Sequence, residues 1–280
     1  MELSSKRTVK ELFAQHQTKP LKRLGQNFLI NKKALNDFIN ACDLKKNDVV
    51  LEIGPGLGAI TQEIAPKVKR VIAIEKDRKM CEIMKETLRD FKNIEIINQD
   101  VLENLSSSKE LSLSSGKVKI VGNLPFYLTA PIIRKFLEIK NQPQEMVFMI
   151  QKEVAQRICA KPPKMSILAV SVQFYAKPKI VSYLPKNSFW PQPKVDSAII
   201  KISSIKYQAL SINKDLFFQI VRAGFSSPRK QLINNLAKGL KMNKEKIEQW
   251  LLENGIKPEQ RAETLKVQDW ISLTKTIKMN

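Results

Sequence analysis

From residue 48 to residue 151, short β-rich runs alternate with longer amphipathic ones, and that alternation leaves few architectures open. DVVLEIG (48–54), RVIAIE (70–75), IEIINQD (94–100), VKIVGN (118–123) and EMVFMIQ (145–151) read as buried strands. Between them GLGAITQEIA (56–65), DRKMCEIMKETLRDF (77–91) and APIIRKFLEI (130–139) read as helices. Thr129 with Pro131 just after it is a sound helix start, because proline lacks only an N–H that the first turn leaves unbonded. Strands joined through helices pair in parallel and need both faces of their sheet covered. The expected fold class is α/β.

The pattern changes further along. After residue 165 it turns β-like, in ILAVSVQFYA (167–176) and VDSAIIKISSI (195–205). After about residue 208 it is helical and polar, in NKDLFFQIVRAGF (213–225), RKQLINNLAKGL (229–240) and KEKIEQWLLENG (244–255). The shift predicts a boundary near residues 205–212. SSSKELSLSSGK (106–117) reads as a surface loop without chemistry.

Charge is segregated along the chain. Of 48 basic and 27 acidic residues, segment 34–150 holds nearly equal numbers and nets +1, while 1–33, 151–207 and 208–280 net +6, +8 and +6. A neutral core with basic flanks suits a catalytic or cofactor-binding centre whose surroundings meet a polyanion. No run approaches the ~18 apolar residues that span a bilayer. The N-terminal stretch lacks the apolar segment of a signal peptide. Cys42, Cys81 and Cys159 are far apart and unpatterned, the expectation being buried thiols in a reducing cytoplasm. A lone histidine, His16, leaves no material for a metal cluster or a histidine-based triad. No metal site is expected.

VVLEIGPGLGAIT (49–61) sets Gly54, Gly56 and Gly58 between a strand and a helix, where the backbone can approach a ligand closely. Glu75 closes the next strand, where a carboxylate can accept from both hydroxyls of a ribose. Asp100 closes the third, placed to accept from an adenine amino group. One such acid alone is as readily a helix cap; three features at successive strand ends describe a nucleoside site. Gly54, Gly56 and Ala59 also satisfy a dinucleotide fingerprint, a weak signal by itself. The basic flanks, the missing histidine and the turn described next weigh against a dehydrogenase and favour S-adenosylmethionine. On that reading the sheet is the Rossmann-like one of an S-adenosylmethionine-dependent methyltransferase, followed by a smaller C-terminal helical domain.

That turn is VGNLPFYLTA (121–130). An exocyclic base amine is a poor nucleophile, because its lone pair is delocalised into the ring. Acceptors for its two N–H groups localise that pair, and Asn123 with the Leu124 carbonyl, stiffened by Pro125, can supply them. Phe126 and Tyr127 beside them offer faces for a base taken out of its helix. The plain alternative is a strand-closing turn with core aromatics.

Taken together, KRLGQNFL (22–29), LEIGPGLG (51–58), NLPF (123–126), IQKEVAQRI (150–158), FWPQPKVDSAII (189–200), FSSPRKQLINNL (225–236) and RAETL (261–265) resemble the motifs of the small-subunit ribosomal RNA adenine dimethyltransferases. The resemblance runs from about residue 20 to 270. It implies transfer of methyl groups to N6 of two adjacent adenines near the 3′ end of that RNA, S-adenosylmethionine as donor and S-adenosylhomocysteine as product. It implies cofactor contacts at Asn27, Leu29, Gly54, Glu75, Asp100 and Asn123. Asn123 and Leu124 would hold the amine, with Phe126 and Phe189 stacking on the adenine. Segment 1–33 would be a basic N-terminal segment carrying a cofactor-site motif, 34–207 the catalytic domain and 208–280 a helical RNA-binding domain, with Arg222, Arg229 and Lys230 meeting phosphates. The expected partner is small-subunit RNA in the immature ribosomal subunit, met by a cytoplasmic monomer without membrane attachment. Phe126 stands where tyrosine is usual, Tyr127 where asparagine is common and Pro228 where a basic residue is common. Two other readings are weighed: the related large-subunit enzyme of antibiotic resistance, and a non-catalytic RNA-binding assembly factor.

Overall fold

The computed structural model describes residues 1–104, 118–139, 142–204 and 212–277. The serine-rich loop at 106–117 and most of the expected boundary at 205–212 lie outside the described residues.

The strands are β1 (Phe28–Leu29), β2 (Val49–Ile53), β3 (Arg70–Glu75), β4 (Ile94–Asn98), β5 (Val118–Asn123), β6 (Glu145–Gln151), β7 (Ala176–Leu184), β8 (Phe189–Trp190) and β9 (Ser197–Ser204). The helices are α1 (Lys6–Gln15), α2 (Lys32–Ala41), α3 (Ala59–Ile64), α4 (Arg78–Thr87), α5 (Val101–Asn104), α6 (Thr129–Glu138), α7 (Lys152–Ile158), α8 (Ile167–Tyr175), α9 (Lys214–Gly224), α10 (Leu232–Leu240), α11 (Lys244–Glu253) and α12 (Val267–Thr276). Two compact units divide the chain: residues 1–155 with 179–204, and residues 156–178 with 205–280. Segment 156–178, inside the stretch read as catalytic, thus groups with the helical tail.

In the first unit a seven-stranded sheet runs in the order β4-β3-β2-β5-β6-β9-β7. β2 pairs in parallel with β3 on one side and β5 on the other, and β9 returns antiparallel to β6. The order reverses direction at β2, the place where open α/β sheets bind ligands outside their carboxyl ends. Register sharpens that statement. Ile53 faces both Ile74 and Gly122, Glu75 faces Asn98, and Asn123 faces Met149, so the chemistry-bearing residues come out in one row. Val50, Val71, Ile120, Val121, Val147 and Phe148 are almost fully buried, as a sheet covered on both faces requires. A separate two-stranded sheet pairs Leu29 with Phe189 and Phe28 with Trp190.

The opposite edge of the sheet is tied by two lysines. Buried Lys119 donates to the carbonyls of Cys42 (3.0 Å) and Asp43, and its Nζ is 3.1 Å from Asp48 Oδ2. Lys201 donates to the Ala41 carbonyl at 3.0 Å and meets Glu145 at 2.8 Å. These carbonyls are at the C-terminal end of α2, where the helix dipole is negative and the last acceptors lack intrahelical partners. Cys42 and Cys81 are buried, and burial pushes their thiols up to about 12 and about 11. Cys159 is partly exposed, not buried as expected.

In the second unit, Phe174 of α8 stacks on Phe217 of α9 with ring centroids 4.2 Å apart. α9 and α10 approach so closely that a Cβ on Gly239 would lie 2.5 Å from Ala223 Cβ. The β-like reading of 167–176 is corrected here: residues 167–175 are helical, and a strand begins only at Ala176. Ser166 caps the helix by accepting from Ala169 N at 3.2 Å. A short apolar run buried on several sides carries no period that separates helix from strand. Buried Asn235 donates to the carbonyls of Gly224 (2.7 Å) and Ser227 (2.9 Å), fixing the turn before Arg229 and Lys230.

Removing one member of a buried ion pair strands the other. Lys119→Ala should therefore destabilise the protein by about 3–5 kcal/mol. It should leave ligand affinity at the far strand ends unchanged. Urea denaturation beside calorimetry checks both, and a variant of wild-type stability would contradict the assignment.

Candidate active site

A cavity of about 360 Å³ opens over the carboxyl ends of β2, β3 and β5. Asn27, Leu29, Gly54, Glu75, Asp100, Asn123, Leu124, Pro125, Phe126 and Phe189 all line it. Arg222, Arg229 and Lys230 do not; all three are exposed residues of the second unit.

Gly54 has φ +64°, and a Cβ there would meet nothing within 4 Å. The positive φ favours glycine, and the open space beyond it is the room a ligand needs. Glu75 supports the loop beside it. Its Oε2 accepts from Gly56 N at 3.1 Å and its Oε1 from Asp77 N at 2.8 Å. Each oxygen keeps one lone pair, enough for the two hydroxyls of a ribose. Burial raises the Glu75 carboxyl above its ordinary range, an effect opposed by the Asp77 and Gly56 bonds.

Asp100 stands two residues past the end of β4, at the start of α5. Its Oδ1 accepts from Leu102 N at 2.9 Å and its Oδ2 from Lys76 Nζ at 2.7 Å. The Lys76 ammonium holds this carboxyl below the usual carboxylate range, so Asp100 is an acceptor at neutral pH.

Asn123 closes β5 and donates from Nδ2 to the Asn27 carbonyl at 2.8 Å. That bond leaves Oδ1 as the acceptor at the cavity wall. Asn27 folds back in turn, its Nδ2 donating to the Gly25 carbonyl at 2.9 Å. Gly25, at φ +64°, lies so near Pro125 that a Cβ would come within 3.1 Å of the proline Cβ. Two segments about a hundred residues apart therefore meet with the Gly25 backbone against the Pro125 ring. Leu124 N donates to the Met149 carbonyl at 3.0 Å, anchoring the turn to β6. Phe126 is 38% and Tyr127 55% exposed, whereas Phe189 is 3% exposed and packs in the core cluster with Leu29 and Met149. Phe189 thus belongs to the core cluster and to the cavity lining at once.

Residues that the sequence did not single out complete the site. Gln26 donates to Asp77 Oδ2 at 2.7 Å and accepts from Leu21 N at 2.8 Å, tying the KRLGQNFL stretch to the strand carrying Glu75. Asp77 also caps α4 through Lys79 N at 2.9 Å. The signal for Asp77 was its place two residues after Glu75 at a helix start; Gln26 had none. Glu52 is fully buried in β2 beneath the glycine loop. Burial pushes its carboxyl up to about 8; the Thr61 hydroxyl opposes this and the Glu75 charge adds to it. Among the described residues, no group of three or more His, Cys, Asp or Glu side chains could hold a metal ion. His16 Nε2 lies 3.3 Å from Glu86.

The donor set and the cavity fit an adenosyl group: glycine room at Gly54, paired acceptors at Glu75, an ionised acceptor at Asp100. The amide acceptor Asn123 Oδ1 lines the same cavity as two accessible aromatic rings, Phe126 and Tyr127. Such a site can hold a nucleoside cofactor and present an amine to it.

The family model described as ribosomal RNA adenine dimethylase matches residues 17–279. Ribosomal RNA small subunit methyltransferase A of Dehalococcoides mccartyi strain CBDB1 is 42% identical over 265 residues, 94% of this chain and 90% of that protein. The protein of the same name from Clostridioides difficile strain 630 is 37% identical over 279 residues, 98% and 96% of the two chains. A dimethyladenosine transferase crystal structure from Plasmodium falciparum superposes with a TM-score of 0.74 at 27% identity, covering 88% of this chain and 95% of that one. The 23S rRNA methyltransferase ErmE matches at a TM-score of 0.73 and 24% identity, covering 89% and 98%.

Glu52 gives the site a pH signature. Its folded-state pKa is raised, so the native protein holds an extra proton between the ordinary carboxyl range and about 8, and stability falls as pH rises through that window. Glu52→Gln, which cannot ionise, should show a flatter melting temperature between pH 5 and pH 8.5 and exceed the wild type at the upper end. Parallel melting profiles for the two proteins would refute a buried protonated carboxyl.

Proposed function

The chain belongs to the ribosomal RNA adenine dimethylase family, and from that premise we propose that it dimethylates N6 of two adjacent adenines near the 3′ end of small-subunit ribosomal RNA. It is an S-adenosylmethionine-dependent methyltransferase with a Rossmann-like sheet. Likeness to the 23S enzyme is one of fold. The relatives at 37–42% identity carry the small-subunit name, which favours that RNA as substrate.

The observation that carries the mechanism is the Asn123–Asn27 bond. With Nδ2 engaged, the side chain presents Oδ1 in one orientation, and the Leu124 carbonyl follows in a turn stiffened by Pro125. These two acceptors take the two N–H groups of the target amine and localise its lone pair. S-adenosylmethionine, when bound, supplies an electrophilic methyl group on a sulfonium. Glu75 takes the ribose hydroxyls, Asp100 the adenine amine of the cofactor, and Gly54, Asn27 and Leu29 line the remainder. Phe126 stacks on the flipped target base from the accessible side, and Phe189 closes the buried side. No strong general base is required, because the amine becomes acidic once alkylated.

In this reading residues 1–155 with 179–204 form the catalytic unit, and the tail from residue 208 binds RNA, with Arg222, Arg229 and Lys230 on phosphates. The protein acts as a cytoplasmic monomer on the immature small subunit. Among the described residues no helix is long and apolar enough to cross a membrane.

Mass spectrometry of small-subunit RNA made with and without the protein tests the reaction directly. Asn123→Ala should lower methyl transfer about 10²-fold or more, with S-adenosylmethionine affinity falling far less; near-wild-type turnover would sink the mechanism. Reversing Arg222, Arg229 and Lys230 together should weaken binding to ribosomal subunits and reduce its logarithmic salt slope by up to about one per lost contact. A folded triple variant with the wild-type slope would remove the tail from the RNA surface.

A further inference from the structure

Residues 151–207 carry ten basic and two acidic side chains, and the first unit gathers part of that excess along one edge. β7 is the terminal strand of the seven-stranded sheet. Lys179, Val181 and Tyr183 alternate outward on it, while Ile180, Ser182 and Leu184 between them are partly or fully buried. Tyr183 is 51% exposed and Val181 41%. Lys152 Nζ stands 5.4 Å from the centre of the Tyr183 ring. Of the two acids, Asp196 lies within this edge; it is 4.0 Å from Lys152 Nζ and accepts from Lys186 N at 3.1 Å, so little negative charge is left over. Lys186 and Lys194 are exposed as well, and Pro193, next to Lys194, lines the catalytic cavity.

Lysines alone would serve to keep an edge strand from pairing with another chain. They do not explain a half-exposed tyrosine and valine in the same row. A flat ring flanked by cations is what stacks on an unpaired base while the neighbouring charges follow its phosphates. We propose that this strip holds a single-stranded segment of the substrate RNA leading to the cavity, with Tyr183 under an unpaired base and Lys179, Lys186 and Lys194 against phosphates. The inference rests on the RNA methyltransferase reading above. It adds a binding surface, on the catalytic unit itself, to the tail residues already named.

The test uses the full-length protein and small ribosomal subunits lacking the modification, with filter binding across a salt series. Tyr183→Ala should weaken subunit binding roughly fivefold to a hundredfold, the range for loss of one base–aromatic stack. Tyr183→Phe, which keeps the ring, should bind as the wild type does. Lys179→Glu should lower the logarithmic salt slope by about one. Melting temperature and S-adenosylmethionine affinity should stay at wild-type values in all three. A folded Tyr183→Ala protein with wild-type affinity overturns the proposal. So does a Tyr183→Phe protein as weak as Tyr183→Ala, since the ring would then not be the contact. Variants that aggregate yet bind subunits normally also overturn it, leaving the strip as protection for the sheet edge. A wild type that cannot methylate these subunits overturns the parent reading and this inference with it; a methylating wild type with unaffected variants overturns the inference alone.

Discussion

Two backbone N–H groups, those of Gly56 and Asp77, converge on the Glu75 carboxylate, and much of the first unit's ligand-binding edge takes its shape from that convergence. One bond holds the glycine loop down against the sheet, and the other sets the start of α4. Asp77 then reaches Gln26 and fixes the N-terminal stretch, which in turn supplies the carbonyl that orients Asn123. The chain of dependence runs from a buried acid to the Asn123 amide at the cavity wall. Each link is a hydrogen bond to a charged or backbone group, the kind that is costly to leave unmade in a protected site.

This arrangement separates two jobs that a carboxylate can do. Glu75 is largely buried, has its charge shared with backbone donors and keeps lone pairs for a ligand. Asp100 is nearer solvent and is kept ionised by Lys76. Glu52, a third acid deep in the same strand system, is held protonated instead, so the loop is not undercut by a second negative charge. Three acids within a few residues of neighbouring strand ends are thus set apart by burial and by their donors, not by their type.

Five strands of the sheet, β2 to β6, were legible because each is an apolar run of the right length bounded by turn residues, and their parallel pairing followed from the helices expected between them; β7 was not read, and the antiparallel return of β9 to β6 had no local signal. Gly54, Glu75, Asp100 and Asn123 were legible as a group for the same reason, since a parallel register brings strand ends into one row. Residues 167–175 were misread because Val170, Val172 and Phe174 are β-compatible and buried, and the signal that decides for helix is the Ser166 cap. The grouping of 156–178 with the helical tail was invisible, because it depends on packing such as Phe174 on Phe217, far apart in sequence. Gln26 was missed for a related reason: its partner, Asp77, is 51 residues away, and nothing local marks a glutamine as a tether.

The two-stranded pairing of β1 with β8 has a spectroscopic consequence. It sets Trp190 against Phe13 at 5.7 Å, one residue from cavity-lining Phe189 and opposite Phe28, whereas the other two tryptophans, Trp250 and Trp270, belong to the second unit. Trp190 is partly exposed and Trp270 fully buried. The chain therefore carries a built-in pair of optical reporters: one indole senses occupancy and order at the cavity, and the others sense the integrity of the helical unit. Emission from protein keeping Trp190 alone can be followed as ligand is added, and emission from protein lacking it follows the tail, without attaching any dye.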